Sequence, residues 1–276
     1  MADSLKTMEA RARGHRLGDK STVQSGTPPP LSAKSLIVKP ISATDANRIV
    51  KSIHYSGKVV PNSQVHLGVF LNGKCGGAMQ FGPSMRKDLI QPLVTCTGWN
   101  EFIELNRMAF ADWLPRNGES RCIGYAMRWI KKTYPHIKWV VSFADGTQCG
   151  DGTIYRASGF VLTGIKQNSQ MAINPETGEP MHKIAAYHQG KEYLHSKWKK
   201  ANGYMFRYIY FIDPSARERL TVPILPFSEI DRRGAGMYKG KSISRAVSIA
   251  SDAPAIHAGE GGSTPTTALH SDLGGA

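Results

Sequence analysis

A chain of 276 residues with 41% apolar content can bury one sizeable core, which predicts one catalytic domain with appendages. No run approaches the roughly 18 to 20 apolar residues needed to span a bilayer, and no C-x-x-C pair or dense cysteine framework is present, because Cys75, Cys96, Cys122 and Cys149 lie more than twenty residues apart. Thirty-five Lys and Arg against 21 Asp and Glu give a net charge of +14, which points to a polyanionic partner. Residues 1–34 are polar, basic and interrupted by TPPP, so they read as a flexible basic arm; no apolar segment follows the first basic residues, and a cytoplasmic protein is expected. SLIVKPIS reads as a strand and TDANRIVKSIHY as a helix capped by a Thr or Asp. QVHLGVFLNGKCGGAMQFG reads as two strands joined at Asn72-Gly73, the two-residue signal of a hairpin. A strand at FIELNRMAF, a helix at ESRCIGYAMRWIKKTY, a strand at KWVVSFAD, a short helix at GTIYRAS and a strand at FVLTGIK follow. The predicted order is β-α-β-β-β-α-β-α-β. Residues 246–276 contain no Lys or Arg and are rich in Gly, Ala, Ser, Thr and Pro, the composition of a disordered tail.

Charge is uneven along the chain. Residues 191–245 hold twelve Lys and Arg against five Asp and Glu. The stretch KEYLHSKWKKANGYMFRYIYF interleaves Lys191, Lys197, Lys199, Lys200 and Arg207 with Tyr193, Trp198, Tyr204 and Tyr208. That pairing suits phosphate contacts beside base stacking, and a soluble basic surface with its aromatics in the core is the alternative. In KWVVSFAD, strand alternation sets Trp139, Val141, Phe143 and Asp145 on one side, so a carboxylate ends an apolar row at the strand's C-terminal edge. Asp145 is therefore either a hydrogen-bond acceptor for a substrate or the head of an Asx-turn before Gly146. By the same alternation Arg107 shares a side with Ile103, Leu105 and Ala109, with Glu104 and Asn106 opposite. An arginine in an apolar row needs an anionic partner: Asp145 or Glu104 within the chain, or a cofactor or DNA phosphate.

The element order resembles the GNAT acyltransferase fold, an α/β (α+β) architecture with a mixed central sheet flanked by helices. In that fold a helix N-terminus receives a cofactor pyrophosphate, because free backbone amides and the helix dipole make it an anion site. Arg121 to Ala126 fits R-x-x-G-x-A by spacing, so the resemblance implies an acyl-CoA-type or other acyl or glycyl donor near Ser120, Arg121 and Gly124. By position it also implies Tyr155 as the acid for a departing thiolate, against a plain core aromatic. Close packing of the helix on the sheet is the other reading of Gly124.

A second resemblance covers residues 31 to about 230. LSAKSLIVKP, HYSGKVVPNSQVHLGVFLNGK, AMQFGPSM, FIELNRMAF, LPRNGESR, YPHIKWVVSFADGTQCGDGTIYRASGFVLT and KWKKANGYMFRYIYF look like the Mom DNA-modification proteins of Mu-like phages. That family converts adenine in phage DNA to an N6-carbamoylmethyl form that host restriction enzymes do not cut. The resemblance implies double-stranded DNA as substrate in a host bacterial cytoplasm, with a GNAT-like catalytic domain over 35–215, a basic C-terminal extension over 216–245 and a tail over 246–276. A dimer is among the assemblies left open. Adenine N6 is a poor nucleophile, stacked and paired in a duplex, so it must be extruded and then activated by a hydrogen-bond acceptor or base. Asp145 is the expected acceptor. His54 and Tyr55, in HYSG, offer an imidazole for proton transfer and a ring to stack on the base; a dipole partner and a core aromatic are their plainer roles. His54, Tyr55 and Asp145 together would also suit iron. The D-P-P-Y motif of S-adenosylmethionine-dependent adenine methyltransferases and the H-x-E with P-C-x-x-C of zinc deaminases do not occur. A conventional GNAT acetyltransferase acting on a protein or small amine, and a non-catalytic DNA-binding module, remain as alternatives.

Overall fold

The structure is a computed structural model that describes residues 32–238 and 241–243. Most of the expected N-terminal arm and all of the expected tail lie outside the described residues. The chain forms two compact units. Among the described residues, one comprises those up to Ala144 together with Gly152–Gly164 and Phe206–Ile224; the other comprises Asp145–Asp151, Ile165–Met205 and those from Leu225 onward.

In chain order the elements are β1 (Ile37–Pro40), α1 (Ala43–Ile53), β2 (Val65–Leu71), β3 (Lys74–Gly82), α2 (Lys87–Ile90), β4 (Phe102–Phe110), α3 (Gly118–Thr133), β5 (Trp139–Asp145), α4 (Thr153–Arg156) and β6 (Val161–Gln167). Then follow β7 (Met171–Ile173), β8 (Pro180–His182), α5 (Lys183–His188), α6 (Glu192–Lys197), β9 (Tyr204–Phe211), α7 (Pro214–Glu218), α8 (Ser228–Arg232), β10 (Met237–Tyr238) and β11 (Lys241–Ser242). The predicted order holds from β1 to β6, apart from the single-turn α2. A seven-stranded mixed sheet results, ordered β1-β2-β3-β4-β5-β9-β6. Strands β1 to β4 pair antiparallel, whereas β4 and β5 pair parallel. At the β2–β3 turn Asn72 and Gly73 both take positive φ, 50° and 79°, which matches the right-handed twist of the flanking strands.

Two sequence expectations need correction. The α1 cap is Ser42, two or three residues earlier than expected: its hydroxyl accepts from Asp45 N–H at 3.1 Å and donates to the Asp45 carboxylate at 2.7 Å. Part of the stretch expected to pair phosphate contacts with stacking, YMFRYIYF, lies inside the sheet. It is β9, an inner strand whose Phe206, Tyr208 and Ile209 are fully buried, so Tyr208 belongs to the core.

Packing in the first unit follows from strand alternation. Phe102, Trp139, Val141 and Ile209 form a buried cluster with Ile90, Leu93, Val94 and Ala216, supplied by the α2 region and by α7. The Phe102 and Trp139 rings stack at 4.5 Å, and the indole N–H donates to Thr97 Oγ1 at 3.2 Å, satisfying the one polar group that the burial of Trp139 would strand. Helix α3 buries Cys122, Ile123, Ala126, Met127 and Ile130, the three-to-four residue stripe of its amphipathic pattern. In the second unit β7 and β8 form a short hairpin, β10 and β11 another, and Ala172 bridges to Lys200. All four cysteines are free thiols. Among the described residues no helix is long and apolar enough to cross a membrane.

Candidate active site

The polar centre of the first unit is built by a fault in strand alternation. In the β3–β4 pairing Gln80 opposes Arg107, Phe81 opposes Leu105 and Gly82 opposes Glu104, so Asn106 is an extra residue. Such a bulge shifts everything beyond it by one. Gln80 and Gly82 share a face, and therefore so do Arg107 and Glu104. The expectation that Glu104 lies opposite Arg107 is thereby reversed. Two adjacent polar residues, Asn106 and Arg107, are the trace of this bulge in the sequence.

On that face Gln80 is fully buried and donates to Asn47 Oδ1 of α1 at 2.9 Å, with His66 Nδ1 at 3.2 Å. Arg107 donates from Nε to the Lys58 carbonyl at 2.8 Å and from Nη1 to its neighbour's carbonyl, Asn106 O, at 2.7 Å. Those bonds aim the guanidinium at the segment that follows α1. Burial lowers the Arg107 pKa, while Tyr55 and Glu104 oppose that shift. Burial also pushes the Glu104 carboxyl above the ordinary glutamate range, against the opposing pull of Ser84, Arg107 and Asn106. Ser63 Oγ donates to Asn106 Oδ1 at 3.2 Å and helps hold the bulge.

His54 caps the C-terminus of α1. Its Nδ1 accepts the Ser56 backbone N–H at 3.1 Å and lies 2.8 Å from Ser56 Oγ, so the neutral ring carries its proton on Nε2. Burial, reinforced by the nearby Arg107 charge, lowers its pKa to about 4. At neutral pH His54 is thus a hydrogen-bond donor through Nε2. The proton transfer expected of this imidazole starts from a ring with Nε2 protonated. Tyr55 is 55% exposed and its ring lies 4.2 Å from that of His54, tilted by 32°.

The low His54 pKa has a measurable sign. Its folded value lies below the unfolded 6.5, so the stability it contributes is fully present above pH 6.5 and is lost as pH falls through about 4. Thermal melts from pH 7 to 4 are expected to show a decline that flattens in His54→Gln; identical slopes would place the titration elsewhere.

Strands β4 and β5 are paired only from Phe102/Trp139 to Glu104/Val141, although β4 continues to Phe110. Beyond that point they part. Ser142 Oγ, at 3.5 Å, is the donor that meets the Leu105 carbonyl there. Helix α3 starts after Asn117, which takes the left-handed conformation with φ 62°. Ser120 in its first turn donates back to Asn117 O at 3.3 Å, and its own carbonyl accepts from Ser158 Oγ at 3.3 Å. Arg121 is exposed. Gly124 packs against nothing: an added Cβ would meet only Arg128 Nη1, at 3.6 Å. Close helix-to-sheet packing therefore does not explain this glycine. Gly124→Ala is expected to stabilise the fold by about 1 kcal/mol in denaturant titration, because alanine is the better helix former and has room. A loss of stability would mean that the backbone there is under an unseen constraint.

Tyr155 is buried between Phe160 and Tyr208, with ring centroids 5.4 and 5.2 Å away. The structure places it in an aromatic core.

In the second unit, Asp145 heads an Asx-turn. Its Oδ1 accepts from Thr147 N–H at 2.9 Å, from Thr147 Oγ1 and from Asn168 Nδ2 at 3.4 Å, while its carbonyl accepts from Cys149 N–H at 2.9 Å. The turn reading is thus realised, and it fixes the carboxylate rigidly. A cavity of about 370 Å³ opens beside this loop, lined by Thr147, Gln148, Ile173, Pro180, Asn202 and Lys241 among others. Lys191 pairs with Glu176 at 3.0 Å, Lys197 lies 4.2 Å from the Tyr193 ring centroid, and Trp198 is half-buried against His195. Lys199 and Lys200 are exposed. Arg207 belongs to the first unit, where it donates to Thr163 Oγ1 at 3.0 Å and to Thr163 O at 2.7 Å. Among the described residues no group of three or more His, Cys, Asp or Glu side chains is arranged to hold a metal ion.

The model of the Mom protein family matches residues 35–229, a span that contains all of these residues except Lys241. The chain belongs to the Mom family. It is similar to the methylcarbamoylase Mom of Escherichia phage Mu, at 36% identity over 201 residues that cover 70% of this chain and 82% of the relative. Among solved structures it is similar to the ribosomal-protein-S18-alanine N-acetyltransferase of Escherichia coli (11% identity, TM-score 0.40, 64% of this chain and 94% of that one). It is also similar to an N-acetyltransferase of Staphylococcus aureus Mu50 (11% identity, TM-score 0.40, 64% and 99%). Membership of the Mom family spans the bulge, Asp145 and the lysine-rich stretch alike, and makes this chain a transferase-type enzyme.

Proposed function

We propose that this Mom family member modifies DNA, transferring a carbamoylmethyl group to N6 of adenine and so shielding the DNA from host restriction. The 36% identity to a methylcarbamoylase over 201 residues carries this reading. Asp145 is the acceptor that orients N6; its turn hydrogen bonds hold the carboxylate in one position, as such a role requires. The adjacent cavity is of a size to take a purine, and Gln148 and Asn202 are the amide side chains that pair with adenine edges.

Within the first unit, Glu104 is the candidate proton acceptor. Burial makes it a stronger proton acceptor than an ordinary carboxylate, while the Arg107 charge beside it favours the ionised form that can accept. His54 donates from Nε2 and Tyr55 presents an exposed ring for stacking.

The donor is of an acyl-CoA or related acyl or glycyl class. The parted β4 and β5 leave backbone groups to hold its chain, and the first turn of α3 with Ser120 and Arg121 suits its phosphates. When bound, such a donor supplies an activated carbon for transfer; because a carbamoylmethyl group is not an acyl group, simple acetyl transfer does not suffice. The exposed lysines of the second unit grip duplex phosphates.

Asp145→Asn is expected to bind duplex DNA with unchanged affinity and salt dependence while leaving adenine unmodified in a nucleoside assay. Full modification by that variant would remove Asp145 from the reaction, and parallel loss of folding on a thermal melt would make it purely structural.

A further inference from the structure

The second unit carries an apolar feature that its own core does not explain. Ile184, Tyr187, Tyr193 and Leu194 of α5 and α6 are 59%, 64%, 69% and 48% exposed. The unit nonetheless has a buried set of its own, including Met171, Ala172, Ala186, Ala201, Ile230 and Met237. The two helices are anchored from their other sides: Ala186 is buried, and His195, also buried, bonds through Nε2 to the Met181 carbonyl at 2.9 Å. Lys183 and Glu192 pair at 3.4 Å and tie one helix to the other. Four large apolar side chains within eleven residues, held outward on anchored helices, mark a surface built to meet something.

Charge says what it meets. Residues 183–200 hold five lysines, at 183, 191, 197, 199 and 200, against one acidic residue, Glu192. Lysine is depleted in protein–protein interfaces, where its ammonium must shed water without a counter-charge. On a polyanion each lysine instead displaces a condensed counterion. Helices of six residues are also too short to float on a bilayer as amphipathic segments. Basic proteins that deform duplex DNA commonly push apolar side chains between base steps, and an enzyme acting on an extruded base must offset lost stacking.

We infer that α5 and α6 form a duplex-opening wedge, in which Tyr187, Tyr193 and Leu194 insert beside the target base pair while Lys199 and Lys200 hold the flanking phosphates. This rests on the DNA-modification reading above and assigns a strand-opening role to a surface outside the catalytic residues.

The test uses the full chain and a duplex carrying 2-aminopurine, whose fluorescence rises when it unstacks. Wild-type protein is expected to raise the signal. The double variant Tyr187→Ser/Leu194→Ser is expected to lose about fivefold in the unstacked fraction, the lower end of one base-stacking contact. Because both side chains are exposed, its melting temperature should match wild type. Its salt dependence of binding should also be unchanged, since the lysines remain; Lys199→Gln/Lys200→Gln should flatten that dependence instead. Equal unstacking by the serine variant, with adenine still modified by wild type, would overturn the wedge and leave the enzymatic reading intact. A wild-type dimer in sedimentation velocity that the serine variant abolishes would also overturn it, assigning the patch to self-association. Absence of wild-type DNA binding would overturn both readings together.

Discussion

Glu104→Gln is expected to lower the rate of adenine modification by roughly 10²- to 10⁴-fold, the range for loss of a positioned proton acceptor. The amide keeps the shape and can still meet Ser84 and Asn106, so the fold should survive with a melting temperature near that of wild type. A carboxylate acts as a base only when ionised, and burial has raised the pKa of this one. The wild-type rate should therefore climb with pH through a midpoint above the ordinary value of 4.5, and that limb should be missing in the variant. A pH–rate profile of both proteins checks this. A variant with full activity, or one that keeps the acidic limb, would return Glu104 to a purely structural role beside Arg107.

The second large effect is on stability. Gly152 precedes α4 with φ +88°, and a Cβ there would sit 2.3 Å from the Tyr208 ring, which is fully buried and packed against Tyr155. Gly152→Ala combines a left-handed conformation costing about 1–2 kcal/mol with overpacking costing about 1–3 kcal/mol. A loss of roughly 2–5 kcal/mol is expected in denaturant unfolding. Since small domains have little stability to spare, soluble yield should fall as well. A loss below half a kilocalorie would mean that the Tyr208 ring shifts freely, which its complete burial contradicts.

Much of the architecture was legible in the sequence, for local reasons. Asn72-Gly73 fixes its hairpin through backbone conformation alone, and the α3 stripe of Ile123, Ala126, Met127 and Ile130 reports its buried face directly. The failures are non-local. YMFRYIYF lies between β5 and β6, out of chain order, and no nearby residue announces that pairing; its interleaved Arg207 and tyrosines looked like a phosphate grip. The β4 bulge defeated strict alternation, placing Glu104 with Arg107 on a face where alternation had set them apart. His54 and Tyr55 are expected at the site from the family pattern alone, and the His54 tautomer depends on the Ser56 amide, a contact visible only in three dimensions. Nor did composition reveal that Ile165–Met205 form a unit with the Asp145–Asp151 loop and the described residues from Leu225 onward.

The most direct test of the central claim is mass spectrometry of nucleosides from plasmid DNA in cells that express this chain, with Asp145→Asn and Glu104→Gln as controls. A deoxyadenosine species heavier by a carbamoylmethyl group is expected in wild type and is expected to be absent in both variants. Unmodified deoxyadenosine alongside folded, well-expressed protein would contradict the claim, and acetylation of a protein or small amine by that same preparation would identify a conventional acetyltransferase instead.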